Sequence, residues 1–289
     1  MRAAHFEAMQ LDAGRVDVWI THLDRHIEPH LLQAYQRLLS DQERARLNRI
    51  RFEADHFAYL VSRALVRTVL SRFVGIDPAE LCFGAGENGK PYLNINALPF
   101  PALSFNLSHT RGMAVLAVSC CRAVGIDVES VEREAPLGVA VRNFARSEST
   151  ALFASSTATQ SMRFWRLWTL KESYVKATGR GLSFPLDQCV FDFLDNGSTI
   201  SFKKIDKGSD CAERWWYAQW QPSPMHIAAL CVERSTSMCL QSVTLREILP
   251  LSTERQLNSS FWGTSRWSRT LRVSGCGVID SATEGMRAF

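Results

Sequence analysis

Residues 113–129 read MAVLAVSCCRAVGIDVE and lead from one predicted strand into another. The first part, MAVLAV, is a continuous apolar run, which is typical of a buried strand. A turn near 120–122 then leads into a strand that carries Asp127 and Glu129. Because strand side chains alternate from face to face, both carboxylates are expected on one face. The sequence therefore predicts a buried strand followed by a strand with paired acids.

Helical and strand patterns surround this stretch in a similar order on both sides. Upstream, residues 16–20 alternate like a strand, Ser40 and Glu43 form a capping box, and apolar spacing over 53–73 predicts a long helix that Gly75 ends. The downstream pattern predicts helices over 137–154 and 160–178, then strands at 188–193, 199–204, 215–220 and 226–232. Helices followed by antiparallel strands, twice over, indicate an α+β protein of two similar halves.

The expected organisation is an N-terminal α/β half over 16–124 and a C-terminal half over 125–240. The acidic strand and the 160–178 helix both belong to the C-terminal half. The tail over 241–289 has Ser, Arg and scattered Trp without clear periodicity. Its role is left open, and part of it is expected to be disordered.

Composition indicates a soluble globular protein. The chain has 289 residues, of which 46% are hydrophobic and 21% charged, and no apolar run approaches the roughly 20 residues that span a bilayer. The N-terminus lacks the pattern of a secretion signal, so we expect a cytoplasmic protein without membrane contact. Eight cysteines without C-x-x-C spacing are expected to be reduced thiols.

The charge of the chain is mildly basic and unevenly placed. Formal net charge is +4, and arginines crowd into one stretch at 44, 46, 49, 51, 63, 67 and 72. Such a surface favours a polyanionic ligand or an acidic partner protein. A solvated arginine-rich helix would explain most of them. Nucleic acid is not expected, because the stretch lacks interleaved aromatics or a binding motif.

A second motif, WTLKESYVK at 168–176, supplies the partner for the acidic strand. Glu172 and Lys176 lie at i and i+4, on one helix face. Alone, Asp127 and Glu129 are explained by solvated acids, and the helix by a surface salt-bridge ladder. Flanking aromatic residues indicate a partly buried helix, however, and a buried carboxylate needs a partner or a metal. Together the two motifs favour a site for a magnesium-bound pyrophosphate.

Two further signals lie upstream of the acidic strand. Ser108-His109 begins a strand, where an imidazole and a backbone N–H suit a terminal phosphate, although a lone histidine is more often structural. Lys90 lies in a turn-dense stretch, GAGENGKP at 84–91, and is expected to be exposed at its tip.

These residues together resemble the 4′-phosphopantetheinyl transferases of the large, pseudo-dimeric class that activates surfactin synthetase. Residues 125–129 match the first metal motif of that family, and residues 168–176 match its W-S/T-x-K-E-S/A-x-x-K motif. Further matches are 62–67, 89–91, 106–110 and 181–187. The resemblance covers roughly residues 16 to 235. It implies two halves related by a pseudo-two-fold axis with the active-site cleft between them.

The resemblance also implies the reaction and the roles of residues. Coenzyme A would lie in the cleft as co-substrate, its pyrophosphate on Mg²⁺, or Mn²⁺, held by Asp127, Glu129 and Glu172. Glu172 would prepare a carrier-protein serine, directly or through water, for attack on the phosphorus that bears pantetheine. Lys176 would stabilise the leaving 3′,5′-ADP. The expected coenzyme A contacts are Arg63, Lys90, Ser108, His109 and Lys171, the last either a phosphate ligand or a salt-bridge partner.

Two other functions fit parts of the sequence. A Mg²⁺-dependent phosphohydrolase needs the same metal site but no groove for a protein. A basic nucleic-acid-binding module would use the arginines and leave the carboxylates unexplained. The leading hypothesis is transfer to acyl- or peptidyl-carrier proteins, which are typically acidic helical bundles that complement a basic face. A monomer is expected, because two fused halves form the cleft without a second chain.

Overall fold

A computed structural model describes residues 8–10, 12–94, 103–181, 183–205, 211–234, 240–258, 261–265 and 272–273. Its first elements are β1 (Arg15–His22), α1 (Pro29–Leu38), α2 (Asp41–Leu47), α3 (Glu53–Val74), β2 (Phe83–Ala85), β3 (Pro91–Leu93), β4 (Leu103–Thr110) and β5 (Met113–Cys120). Next come β6 (Val124–Ser130), α4 (Leu137–Asn143), α5 (Arg146–Phe153), α6 (Thr157–Thr178), β7 (Cys189–Leu194), β8 (Thr199–Lys204), β9 (Trp215–Ser223) and β10 (His226–Glu233). The chain then adds β11 (Ser242–Leu249), β12 (Thr253–Gln256), β13 (Gly263–Thr264) and β14 (Arg272–Val273).

The two stretches that begin at β1 and β6 follow the same plan. β1 is followed by α1, α2 and the 22-residue α3, and β6 by α4, α5 and the 22-residue α6. Each long helix ends at a glycine with positive φ, +69° at Gly75 and +67° at Gly179, where a side chain would be strained. Antiparallel strands come next in both. This confirms an α+β fold of two domains, while the pseudo-two-fold axis stays a prediction.

One helix predicted from the sequence is interrupted. The apolar spacing predicts a single helix over 137–154, but α4 and α5 are separated at Phe144, which is extended and buried. Its ring stacks on Phe164 of α6 with 5.4 Å between centroids. The backbone N–H of Ala145 donates to Glu148 instead of continuing a helix. Burying the Phe144 ring is thus more favourable than continuing the helix through this residue.

The sheets form the two inner layers of the molecule. The first has the order β12-β11-β1-β5-β4, with β14 also on β11, and the second β6-β10-β9-β13-β8-β7. Alternate side chains of β1, β5, β6, β9 and β10 meet in one shared core. The opposite face of the first sheet packs on α3 and that of the second on α6. The layers are therefore helix, sheet, sheet and helix.

Two sheet edges meet through side chains. β4 is the last strand of the first sheet, and β6 is the first strand of the second. Alternate β4 side chains accept hydrogen bonds from alternate backbone N–H groups of β6: Asn106 Oδ1 from Ile126 (2.8 Å), Ser108 Oγ from Val128 (3.4 Å) and Thr110 Oγ1 from Ser130 (3.3 Å). We call this set of contacts the polar ladder. It satisfies N–H groups that an edge strand would otherwise leave unpaired.

The chain beyond residue 241 contributes strands that the sequence patterns do not predict. β11 pairs in parallel with β1, and β13 pairs with β8 and β9 in the other sheet. In β11, SVTLREIL, the adjacent charged residues Arg246 and Glu247 interrupt the apolar alternation, and Arg246 forms an ion pair with Asp17 of β1. The rest of the tail, where disorder is expected, lies outside the described residues.

Two expectations from composition concern membranes and thiols. Within the described ranges, no helix combines the length and apolarity needed to cross a membrane. The described cysteines are free thiols: Cys82, Cys120, Cys121, Cys189, Cys211 and Cys231.

Candidate active site

Close contact between β6 and α6 builds the candidate site. A Cβ placed on Gly125 would lie 2.1 Å from the Ser173 carbonyl oxygen and 2.3 Å from the Ala177 nitrogen. A side chain at this position would therefore push the helix off the strand. Glycine lets the two backbones touch, which puts Asp127 within reach of Lys176.

Asp127 and Ser108, both buried, form a cluster with the half-buried Lys176 that joins the two domains. The Lys176 Nζ donates to Asp127 Oδ1 (2.5 Å) and to Ser108 Oγ (2.9 Å). The Ser108 hydroxyl donates to the same Asp127 oxygen at 2.9 Å. The other oxygen, Asp127 Oδ2, is buried and has no hydrogen-bond partner in the described structure. An unpartnered buried carboxylate oxygen is costly unless a ligand reaches it.

Glu172 lies one helical turn before Lys176 and faces the same cleft. Burial raises the pKa of its carboxyl to about 7, and the charges of Asp127 and Glu129 add to the rise, while Lys176 opposes it. No described residue donates a hydrogen bond to this carboxylate. A carboxyl group that titrates near neutral pH is suited to general-base catalysis.

Glu129 is held more firmly than Glu172. Its Oε1 accepts from the Trp168 indole N–H at 3.0 Å, and its Oε2 accepts from Arg133 at 2.6 Å and from the Thr110 hydroxyl at 3.4 Å. Burial, followed by the charge of Asp127, raises its pKa. Trp168 of the helical motif thus orients an acid of the strand motif.

The predicted metal ligands offer carboxylate oxygens, some of which already have protein partners. Among the described residues, no group of three or more His, Cys, Asp or Glu side chains is gathered closely enough to hold an ion. Lys176 and Arg133 each occupy a carboxylate oxygen of the predicted ligands. Asp127 Oδ2 and the Glu172 carboxylate nevertheless accept no hydrogen bond from the described residues, and Mg²⁺ prefers such oxygen ligands. The chemistry of these residues therefore fits the ion.

Lys90 is not exposed at the tip of its turn, as the sequence suggests. The side chain folds back, and its Nζ donates to the carbonyls of Val124 (3.0 Å) and Ala177 (3.1 Å). Burial lowers its pKa to about 8. The carbonyls at the C-terminal end of a helix attract a cation, which explains this position. Asn88 of the same turn donates to the Gly179 carbonyl at 2.9 Å.

Two adjoining cavities lie between this turn and α6. One of about 220 Å³ is lined by Lys90, Asn106, Glu172 and Lys176 among others. The second, of about 410 Å³, shares Lys90 and extends along β4 to Arg180. Residues of both domains line these cavities, and Glu172 and Lys176 lie in the wall of the smaller one.

His109 and Arg63 stand in different surroundings. His109 has an exposed side chain, and partial desolvation followed by the charge of Lys176 lowers its pKa. Arg63 is paired with Glu43 at 2.5 Å and lies over the Phe83 ring at 4.9 Å. Glu43 also accepts from the buried Arg67. His109 is thus open to a ligand, whereas Arg63 already holds a carboxylate.

Lys171 requires a correction. Of the two predicted roles, phosphate ligand or salt-bridge partner, only the second agrees with the structure. Its side chain is fully buried, and its Nζ lies 2.7 Å from Glu148 Oε2. The assignment of Lys171 to coenzyme A binding is therefore wrong, because the helix turns it away from the cleft.

Three side chains inside the quoted motifs were given no role from the sequence. Thr110 and Trp168 contact Glu129, and Asn106 lines the smaller cavity and binds the backbone of Ile126. For Asn106 and Thr110 the available signal is the polar alternation N-x-S-x-T at 106–110, which puts three polar side chains on one face of a strand.

Comparison with known proteins gives matches over both domains. A family profile described as the 4′-phosphopantetheinyl transferase superfamily matches residues 123–231, and one described as 4′-phosphopantetheinyl transferase, N-terminal, matches residues 27–121. A 4′-phosphopantetheinyl transferase of Bacillus subtilis is 32% identical, over 70% of this chain and 87% of its own. The transferase Sfp of Bacillus subtilis strain 168 is 29% identical, over 73% and 89%. A phosphopantetheinyl transferase of Thraustochytrium is 35% identical, over 68% and 70%.

Proposed function

The chain belongs to the 4′-phosphopantetheinyl transferase superfamily, and we propose that it transfers the phosphopantetheine group of coenzyme A to a serine of a carrier protein. The observation that supports this use of the cleft is the Glu172 carboxyl. It lies beside the Asp127–Lys176 pair in a groove between the domains, and its pKa is raised to about 7. A carboxyl group whose pKa lies near neutral pH is suited to removing the proton from a serine hydroxyl.

Coenzyme A is proposed to lie along the two adjoining cavities. His109 would contact a phosphate, since its side chain is exposed and close enough to Lys176 for their charges to interact. Lys90 lines both cavities and would add positive charge at their junction. Ser108 would lend its backbone N–H. Arg63 would contact a phosphate only by sharing its guanidinium with Glu43.

Asp127, Glu129 and Glu172 would hold Mg²⁺, with Mn²⁺ as a substitute. When bound, the ion would neutralise the pyrophosphate and polarise the phosphorus. Support comes from the unpartnered Asp127 Oδ2 and from the raised pKa values of Glu129 and Glu172. Carboxyl groups that raise one another's pKa through their charges are stabilised by a cation, because the cation relieves their repulsion.

In the proposed reaction each protein group handles charge or a proton. Glu172 accepts the hydroxyl proton of the carrier serine, directly or through a water molecule. The serine oxygen bonds to the β-phosphorus, the bond from this phosphorus to the bridging oxygen breaks, and 3′,5′-ADP leaves. The Lys176 ammonium stabilises the negative charge that develops on the leaving oxygen.

The proposed partner is an acidic acyl- or peptidyl-carrier protein. Arg44, Arg46, Arg49 and Arg51 are exposed on and after α2 and give the N-terminal domain a basic surface. Such a surface steers acidic partners and speeds their association. We further propose that the protein acts as a cytoplasmic monomer, without nucleic acid or membrane.

One assay tests this function. The protein is mixed with an apo carrier protein, coenzyme A and Mg²⁺, and the intact mass of the carrier is followed. We expect the carrier to gain the mass of one phosphopantetheine arm and 3′,5′-ADP to accumulate in equal amount. Absence of the arm across fatty-acid, polyketide and peptide carriers would overturn the proposal. Coenzyme A cleaved without any carrier would indicate a phosphohydrolase instead.

A further inference from the structure

The polar ladder does more than join two strand edges. The Ser108 hydroxyl donates to Asp127 Oδ1 at 2.9 Å and accepts from the Val128 N–H at 3.4 Å and from Lys176 Nζ at 2.9 Å. A hydroxyl has one donor and two acceptor positions, so every position is filled. The orientation of this hydroxyl is therefore fixed. The Asp127 carboxylate that accepts from it is held in one orientation as well.

Thr110 repeats the arrangement two residues further along the strand. Its hydroxyl accepts from the Ser130 N–H at 3.3 Å and donates to Glu129 Oε2 at 3.4 Å. Both distances are long, so this contact is weaker than that of Ser108. The third member of the ladder, Asn106, accepts from the Ile126 N–H at 2.8 Å and reaches no carboxylate. The ladder thus contains two members that hold an acid and one that does not.

We propose that Ser108 and Thr110 are positioning residues, which fix the carboxylates of Asp127 and Glu129 from the opposite domain. This inference rests on the proposed function, in which the two acids bind a divalent cation. Ser108 and Lys176 together occupy Asp127 Oδ1, which leaves Oδ2 as the oxygen presented to a ligand. Polar groups that orient the ligating side chains typically set metal affinity as well.

The arrangement makes the metal site depend on domain contact. Asp127 and Glu129 belong to β6, but the hydroxyls that orient them belong to β4 in the other sheet. Any change that separates these edges would remove one hydroxyl contact from each carboxylate at once. Each of the two hydroxyls binds both a backbone N–H of β6 and a carboxylate. The contact between the two sheet edges is therefore linked to the proposed metal site.

The test uses Mn²⁺ as a spectroscopic probe. Free Mn²⁺ is titrated with the full-length protein and followed by electron paramagnetic resonance. We expect Ser108→Ala to weaken Mn²⁺ binding about tenfold, as is usual for the loss of an orienting partner. Thr110→Val should weaken it about two- to threefold, because its hydrogen bonds are longer. Ser108→Thr keeps the hydroxyl and should restore most of the affinity.

Asn106→Ala is the matched control, since it removes a ladder contact that touches no acid. It should lower the melting temperature about as much as Ser108→Ala does and leave the Mn²⁺ affinity near that of the parent. Equal loss of Mn²⁺ affinity in both variants would overturn the proposal and reduce the ladder to a structural joint. Failure of Ser108→Thr to regain affinity would also overturn it. Neither readout uses a carrier protein, so the outcome is independent of the mass assay.

Discussion

Helix α6 carries two polar clusters on different faces, and they are satisfied to different degrees. On the buried face, the Lys171 ammonium reaches Glu148 (2.7 Å) and the carbonyls of Leu186 (2.8 Å) and Cys189 (2.5 Å). Glu148 also accepts from the N–H groups of Ala145 and Phe191. The three donors of the ammonium are thus all used, and both carboxylate oxygens have partners. We call this pair the closed cluster.

The cleft face of the same helix is left incomplete. Asp127 has one oxygen shared by Lys176 and Ser108 and one with no partner in the described part of the chain. The Glu172 carboxyl is held neutral to a higher pH by burial and neighbouring acids. We call this the open cluster. Lys171 and Glu172 are neighbours in one motif, but Lys171 stabilises the fold whereas Glu172 is placed for the reaction.

The largest expected effect is in the open cluster. Glu172→Gln keeps the shape of the side chain and removes its basicity, so we expect transfer to fall about 10³-fold, within the range for loss of a general base. Coenzyme A binding, measured by calorimetry, should persist. Single-turnover transfer to an apo carrier, followed by intact mass, gives the rate.

The control for that variant is Glu134→Gln, which changes an exposed acid outside the cleft. It should transfer at the rate of the parent protein. If Glu172→Gln also kept that rate, Glu172 would have no part in proton removal, and the two faces of α6 would not differ as described.

The next effect separates the two lysines of the motif. Lys171→Met leaves Glu148 buried without its partner, so we expect a loss of about 3–5 kcal/mol in the free energy of unfolding. Lys176→Met should cost far less, because its side chain is 27% exposed where that of Lys171 is fully buried. Urea unfolding followed by circular dichroism measures both.

Activity should reverse this order among the molecules that remain folded. Lys176→Met removes the charge beside the reacting phosphates and should lower the rate of transfer more than Lys171→Met does. Equal stability losses in the two variants would contradict the distinction between a closed and an open cluster.

The sequence predicted the open cluster but not the closed one. Helical spacing put Glu172 and Lys176 on one face of a helix, and strand alternation put Asp127 and Glu129 on one face of a strand. The structure brings these four groups to one cleft. Lys171 could not be assigned, because its partner Glu148 lies in a different helix and carries no recognisable motif. Pairings between distant segments are outside what local periodicity encodes.

The fold shows the same limit. Helix α3 was predicted to within a residue at its end, because apolar spacing and a terminal glycine are local signals. Strands β11 and β13 were missed, because their pairing with β1, β8 and β9 joins segments far apart in sequence. Lys90 was misjudged for a similar reason, since its acceptors belong to β6 and α6.

The smallest expected effect is on the pH dependence of stability. The Glu172 pKa is about 7 in the folded protein against an ordinary value of 4.5, so between these limits the folded state binds more protons at this carboxyl than the unfolded state. The contribution of Glu172 to the free energy of unfolding therefore decreases as pH rises from about 4.5 to 7. Glu172→Gln removes this term and should be more stable than the parent at pH 8 by about 1 kcal/mol, discounted for partial exposure, or about 2 °C.

At pH 4.5 the advantage of Glu172→Gln should shrink toward zero, because the parent carboxyl is then largely protonated in the folded state.

Melting temperatures of parent, Glu172→Gln and Glu134→Gln between pH 4.5 and 8 measure this difference without added metal. The Glu134→Gln curve should run parallel to that of the parent, since this carboxyl is exposed. An equal rise in melting temperature for both variants at pH 8 would show only the effect of removing one negative charge. A rise in melting temperature confined to Glu172→Gln would show that ionisation of Glu172 in the open cluster destabilises the folded protein. A bound cation would relieve this destabilisation.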